Sequence, residues 1–185
     1  LFKASCRTYQ GIFRVAVNFL NWKEPELVKG AGSVKKLPEV VKANGHDRVL
    51  VVTDKGLMGL HLLDGLFEGL DKAGVKYFVY DGTQPNPTID NIEEARKLYA
   101  DNNCSAVIAF GGGSPMDCAK AAAARVTNPK ISVRKMRGVL KLHHKLPPFF
   151  AVPTTAGTGS ETTLAAVVTD TATHEKNAIN DIRLK

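Results

Sequence analysis

The sequence predicts an α/β chain built on a mainly parallel sheet, and three observations carry that reading. Apolar-rich runs occur at 48–53, 75–80, 106–110 and 149–152, the pattern of strands buried on both faces. Helix-patterned segments separate them, which is the strand–helix rhythm of parallel crossover connections. Three runs end in a polar or glycine-rich loop: at Asp54, at 111–114 and at 154–160. In a parallel sheet such loops share the edge where ligands bind.

Each element follows from local chemistry. Residues 1–30 alternate, with FRVAVNFL at 13–20 as the clearest strand signal and Leu27 and Val28 as a further short strand. Ser33 starts a helix to about Ala43, with Val34, Leu37, Val40 and Val41 on one face, and Asn44-Gly45 closes it. The strand at 48–53 leads into one helix over 57–73, ended by Gly74. After the strand at 75–80 comes DGTQPNPT, whose two prolines hold the backbone around Asn86. Thr88 or Asp90 opens a helix to about Asn102. The strand at 106–110 runs through three glycines into a helix over 116–126, with Ser114 as N-cap and Pro115 at the first helical position. Residues 128–145 are irregular and basic, with one short helix near 133–140. Pro147-Pro148 precede a fourth core strand at 149–152, and 164–169 with 177–180 form a hairpin.

Composition narrows the function classes. The 185 residues suffice for one well-buried domain, 1–185, with 1–30 as an N-terminal strand segment. Hydrophobic residues make up 44% and charged residues 23%, so the chain is globular rather than disordered. A net charge of +7 raises nucleic acid or an anionic cofactor as the partner. The basic residues are scattered, and the densest stretch, 130–145, has no interleaved aromatics, so nucleic acid is not expected. Cys6, Cys104 and Cys118 lie far apart without C-x-x-C spacing. That argues against a disulfide framework or a zinc knuckle and fits reduced thiols in a cytoplasmic protein. No signal peptide and no apolar run of membrane-spanning length is present, so no membrane partner is expected. His143 and His144 are adjacent and point in different directions on a helix, so they read as surface residues rather than metal ligands.

The stretch AVIAFGGGSPMDCAK, 106–120, organises the rest. Strand, glycines and capped helix together present bare N–H groups at a helix N-terminus, which attracts a phosphate. The same pattern also serves as a tight strand–helix connection. It is neither G-x-G-x-x-G nor a P-loop. Asp54, at the end of a strand, either takes the ribose hydroxyls of an adenosine or caps the following helix.

GGGSPMDCAK, PNPTIDN, VPTTAGTGSE and HEKNAIND, in this order and spacing and preceded by VKGAGSVKKL, resemble the iron-containing (group III) alcohol dehydrogenases. The resemblance spans essentially the whole chain, from Asn18 to Lys185. It implies a Rossmann-like fold and reversible, metal-assisted hydride transfer between an alcohol and NAD, giving an aldehyde or ketone. It implies that Gly111, Gly112, Gly113 and Ser114 bind the pyrophosphate, with Pro115, Met116 and Asp117 completing that loop. By the same resemblance Asp54 matches the acid that favours NAD over NADP, and Asn86 lies near the nicotinamide half. Thr154, Thr155 and Thr158 match a hydroxyl loop around the adenine and phosphates. Thr163, Val167 and Lys176 match further cofactor contacts; Thr163 and Val167 read equally well as hairpin core.

The resemblance also implies a metal, Fe2+ or Zn2+, held by one Asp and three His in a helical C-terminal domain. None of His46, His61, His143, His144 and His174 matches those ligand positions. The expectation is therefore the cofactor-binding half of such an enzyme, without catalytic or metal-ligating residues of its own and inactive alone. A small alcohol or aldehyde is the substrate implied for the full-length enzyme, and a homodimer through 13–20 is a candidate assembly. Two rivals remain at this stage. A glycerol dehydrogenase or dehydroquinate synthase relative shares the scaffold, but PTTAGTGSE with PNPT speaks against it. A non-catalytic module that binds NAD, or only a protein partner, is the other.

Overall fold

The computed structural model describes residues 25–185 together with 6–7 and 10–11. The strand read at 13–20, and the dimer contact built on it, lie outside the described residues.

Four parallel strands form the main sheet: β1 (Arg48–Val52), β2 (Lys76–Tyr80), β3 (Ala106–Gly111) and β5 (Phe149–Pro153), in spatial order β2–β1–β3–β5. A smaller sheet joins β4 (Gly138–Val139), β7 (Glu175–Asn180) and β6 (Ala165–Asp170) in that order. β6 and β7 are the antiparallel hairpin. The helices are α1 (Leu37–Ala43), α2 (Lys55–Gly59), α3 (Asp64–Lys72), α4 (Ile89–Asp101), α5 (Gly113–Thr127) and α6 (Val133–Met136).

The two-residue period of a strand sorts the core into two layers. Val49 and Val51 of β1, with Ala106, Ile108 and Phe110 of β3, pack against Val41 of α1 and Leu66 and Leu70 of α3. Leu50 and Val52, with Val107 and Ala109, face the opposite way, onto Ile92 and Ala95 of α4 and Met116 and Ala119 of α5. Ala166, Val168 and Ile179 of the hairpin join that second layer. This two-sided burial is why both strands are almost uninterrupted apolar runs.

Helix ends follow the expected chemistry. α1 and α3 close with glycines in left-handed geometry, Gly45 at φ 81° and Gly74 at φ 67°. The paired bonds His46 N–H to Val41 O and Gly45 N–H to Lys42 O complete the α1 terminus. α4 opens with a capping box: Thr88 Oγ1 accepts the Asn91 N–H at 3.2 Å, and Asn91 Oδ1 accepts the Thr88 N–H at 3.1 Å.

Several expectations are corrected. The helix read over 57–73 is two helices, α2 and α3, separated by a turn in which His61 has φ 57°. Asp54 caps α2 early and the glycine-bearing α2 ends at Gly59, which lets Leu63, Leu66 and Leu70 reach the core together. Ser33 does not cap; residues Ser33–Lys36 form a 3₁₀ turn ahead of Pro38, which lacks the N–H that an α-helical bond would need. The helix near 133–140 stops at Met136, because Gly138 takes φ 108° and enters β4. Leu27 and Val28 are exposed coil rather than strand. β5 is not a core strand: among the described residues it pairs with β3 alone, and Ala151 and Pro153 are exposed.

The strand order places the ligand edge. The chain leaves β1 toward β2 and then returns to β3 on the other side of β1. The crossovers from β1 and β3 therefore diverge, and a crevice opens at the carboxyl ends of these two strands.

Candidate cofactor site

Asp54 and the glycine loop flank this crevice, one at the end of β1 and the other at the end of β3. Gly111 has φ 150°, and a Cβ on it would lie 2.5 Å from Pro115 Cγ. Only glycine makes that turn. Gly112, not Ser114, is the N-cap of α5. The helix starts earlier than its proline suggests because Pro115 stands in the first turn, where a missing N–H costs nothing. Ser114 is thereby freed from capping, and its Oγ accepts the Asn86 N–H at 3.2 Å. The first backbone bond of α5 runs from Met116 N–H to Gly112 O, so Gly113 and Ser114 offer N–H groups with no intrahelical acceptor. With the dipole of this helix they form a seat for an anion.

The hydroxyl loop after β5 lies over that seat. Thr154 N–H bonds Gly111 O at 3.0 Å and draws the loop toward the glycines. A Cβ on Gly112 would meet Thr155 Oγ1 at 2.8 Å, and one on Gly113 would meet Ser160 Oγ at 3.3 Å and Thr158 Cγ2 at 3.9 Å. Bare backbone and hydroxyls thus face each other across the space a side chain would fill.

Asn86 is held in left-handed geometry, φ 57°, and its Oδ1 accepts from Lys176 Nζ at 2.7 Å. Thr169 N–H bonds Pro87 O at 2.8 Å, which docks the hairpin on the PNPT turn. Asn86, Ser114 and Lys176, from three distant segments, therefore converge beside the N-terminus of α5.

The remaining named residues turn elsewhere. Met116 is 1% exposed and packs in the core beside Pro115. Asp117 accepts the Val167 N–H at 3.1 Å and so ties α5 to β6, while burial pushes its carboxyl up. Thr163 Oγ1 lies within hydrogen-bond distance of Ser160 O on its own loop, Ala165 O at the start of β6 and Lys120 Nζ on α5. Asp54 Oδ1 accepts the Leu57 N–H at 2.9 Å, so it is a helix cap; its second oxygen is not used in that bond.

Lys120 was not among the residues read from sequence. It is 1% exposed and donates to Thr163 O. Its signal was its setting: Cys118, Ala119, Ala121, Ala122, Ala123 and Ala124 are apolar all round, so a lysine among them has no solvated face. Burial lowers its ammonium to about 8, against the opposing charges of Asp117 and Glu161. The thiol of Cys118 is pushed up to about 12 by burial, which leaves it unreactive. Among the described residues, no three His, Cys, Asp or Glu side chains gather as a metal site. Nor is any described helix long and apolar enough to cross a membrane.

The family model for iron-containing alcohol dehydrogenase matches residues 25–184. The chain belongs to that family. Lactaldehyde reductase of Escherichia coli (strain K12) is 37% identical over 142 residues, covering 76% of this chain and 37% of the relative. The crystal structure of a 1,3-propanediol oxidoreductase superposes with a TM-score of 0.80 at 34% identity, covering 84% of this chain and 40% of the other. A sulfoacetaldehyde reductase from Bifidobacterium kashiwanohense, solved in complex with NAD+, superposes with a TM-score of 0.76 at 30% identity, covering 89% and 44%. The chain thus spans about two fifths of the length of these members of the iron-containing alcohol dehydrogenase family.

Proposed function

We propose that this chain is the cofactor-binding half of an NAD-dependent alcohol dehydrogenase, a single α/β unit over 1–185 working in the cytoplasm. One observation carries the reading: two N–H groups without intrahelical acceptors, at the start of α5, face the hydroxyls of the 154–160 loop beside the β1–β3 crevice. Gly112, Gly113 and Ser114 seat the pyrophosphate, and a Cβ on either glycine would intrude. Thr155 and Thr158 close over the phosphates, and Thr154 holds their loop to Gly111. Asp54 caps α2 with one carboxylate oxygen and presents the other to the adenosine ribose, where its charge repels a 2′-phosphate. Lys176 and Asn86 hold the nicotinamide half.

The donor sets fit a dinucleotide; the described residues do not fit a metal site. The family reading implies a divalent metal that polarises the alcohol or carbonyl oxygen. The contribution of these residues is to bind and orient the nicotinamide. Small alcohols and aldehydes are the proposed substrates.

Calorimetric titration of the chain with NADH and NADPH, without metal, tests this. NADH is expected to bind, and NADPH about tenfold more weakly, in line with one opposed charge at a ligand site. Asp54→Asn retains an N-cap and removes the charge, so it narrows that gap by strengthening NADPH. Failure of both nucleotides to bind at millimolar concentration overturns the reading.

A further inference from the structure

Asn91 stands in the first turn of α4 and is 5% exposed, so it is no cofactor contact itself. Its side chain nevertheless holds the DGTQPNPT loop at several points. Nδ2 donates to Gly82 O at 3.2 Å, Oδ1 accepts the Thr88 N–H at 3.1 Å, and the Gln84 N–H approaches the same oxygen at 3.5 Å. A capping box uses only the Thr88 bond. The contacts to Gly82 and Gln84 lie upstream of the helix and do nothing for its start. They tie both ends of the segment that carries Asn86 to one side chain. Gly82 in turn pairs with Asp54 in an isolated antiparallel bridge, which fixes it to the end of β1. Asn91 thus refers the loop to a fixed point on the main sheet. Between the tied ends, Asn86 sits at φ 57°, donates its N–H to Ser114 Oγ at 3.2 Å and accepts from Lys176 Nζ at 2.7 Å.

We infer that Asn91 is a positioning residue for the nicotinamide half of the cofactor: by clamping Gly82 and Thr88 together it keeps Asn86 where Ser114 and Lys176 meet it. The inference deepens the cofactor-binding reading, and its nucleotide arm rests on that reading. A residue other than glycine in left-handed backbone persists only where its surroundings over-determine it. Here the surroundings are the clamp, the Ser114 hydroxyl and the Lys176 ammonium. An amide is the side chain that puts a donor and a two-lone-pair acceptor on one planar group. A carboxylate of the same shape keeps the acceptor for Thr88 but sets an oxygen against Gly82 O, where two acceptors repel. The start of α4 is spared, because a negative charge in the first turn suits the helix dipole. Asn91→Asp therefore separates the clamp from the cap.

Titration of Asn91→Asp with NADH and with ADP reads this role. ADP carries the adenosine and the phosphates but no nicotinamide, so it reports the Asp54 and glycine-loop end alone. NADH should bind the variant about tenfold more weakly than the wild type, the effect of one lost well-placed polar contact, and ADP within about twofold of it. A residue that only stabilised the fold would weaken both alike. Without nucleotide, hydrogen exchange at the Asn86 amide should quicken about tenfold in the variant while amides inside α4 keep their protection. Should Asn91→Asp not fold, Asn91→Ala, which admits water to the Gly82 and Thr88 backbone groups, takes its place with the same expected split. Wild-type exchange also decides by itself: Asn86 and Thr88 amides that exchange as fast as free chain overturn the inference. Equal losses for NADH and ADP, or Asn86 exchange unchanged in a folded variant, overturn it as well. If neither nucleotide binds the wild type while Asn86 exchange still depends on Asn91, the cofactor reading fails and the clamp stands.

Discussion

Gly111 and Gly112 stand side by side in the glycine loop, and the structure separates their roles. Gly111 sits at φ 150° with Pro115 Cγ 2.5 Å from where a Cβ would be. Strained backbone and a rigid ring both oppose a side chain, so Gly111→Ala should cost about 1–3 kcal/mol of stability. Gly112 has an ordinary φ of −82°, and its Cβ would meet only Thr155 on an exposed loop, at 2.8 Å. Gly112→Ala should therefore melt close to wild type yet bind NADH at least about tenfold more weakly, because the methyl displaces the loop from the seat. Thermal denaturation and titration on the two variants read the difference. An equal loss of stability in both would remove the distinction. The triple glycine was legible as a motif, but which glycine is conformational and which makes room was not, since that depends on Pro115 and Thr155 closing in space.

At the scale of elements, caps decide where helices start, and the starts position the site. The α4 capping box sets the exit of the PNPT turn that carries Asn86. Thr88→Ala removes one half of the box and should cost about 1 kcal/mol, a fall of about 2–4 °C in melting temperature, while Thr88→Ser should restore it. Differential scanning fluorimetry of the pair checks this; a melting temperature unmoved in Thr88→Ala would mean that the hairpin docking at Pro87, not the cap, holds the turn. This helix start was readable because Thr88 sits where the PNPT turn ends. The start of α5 was misread by two residues: Ser114 and Pro115 carry the local signature of a start, but Gly113 before them is already helical and the extended Gly112 is the N-cap, where the loop from β5 packs. The break between α2 and α3 was hidden for the same reason. Local propensity allows one helix, and only the demand of Leu63, Leu66 and Leu70 for the core divides it.

For the whole molecule, the hairpin is what joins the smaller sheet to the site. Arg134 on α6 grips Asp170 at the end of β6 through two guanidinium nitrogens, Nε donating to Oδ2 and Nη2 to Oδ1 at 2.9 Å. This hydrogen bonding holds the Asp170 carboxyl down at about 2, from an ordinary 3.8. A depressed carboxylate contributes stability above its unfolded pKa, and that stability is lost as pH falls through the folded value. The wild type should therefore lose this contribution between about pH 4 and about pH 2, and Asp170→Asn should show a flatter stability profile over that window in urea melts. A wild-type slope retained by the variant would assign the acid sensitivity to other carboxylates.

By itself the sequence determined the α/β class, the two-faced strands, the glycine loop and the family, because apolar period, caps and short motifs act over neighbouring residues. The tertiary structure alone decided that β1 and β3 part company to open the crevice, that Ser114, Asn86 and Lys176 meet, and that Lys120 is buried beneath the loop. Those relations join residues up to ninety positions apart. They arise from how strands are ordered and which surfaces are desolvated together, and no local pattern in the chain encodes that order.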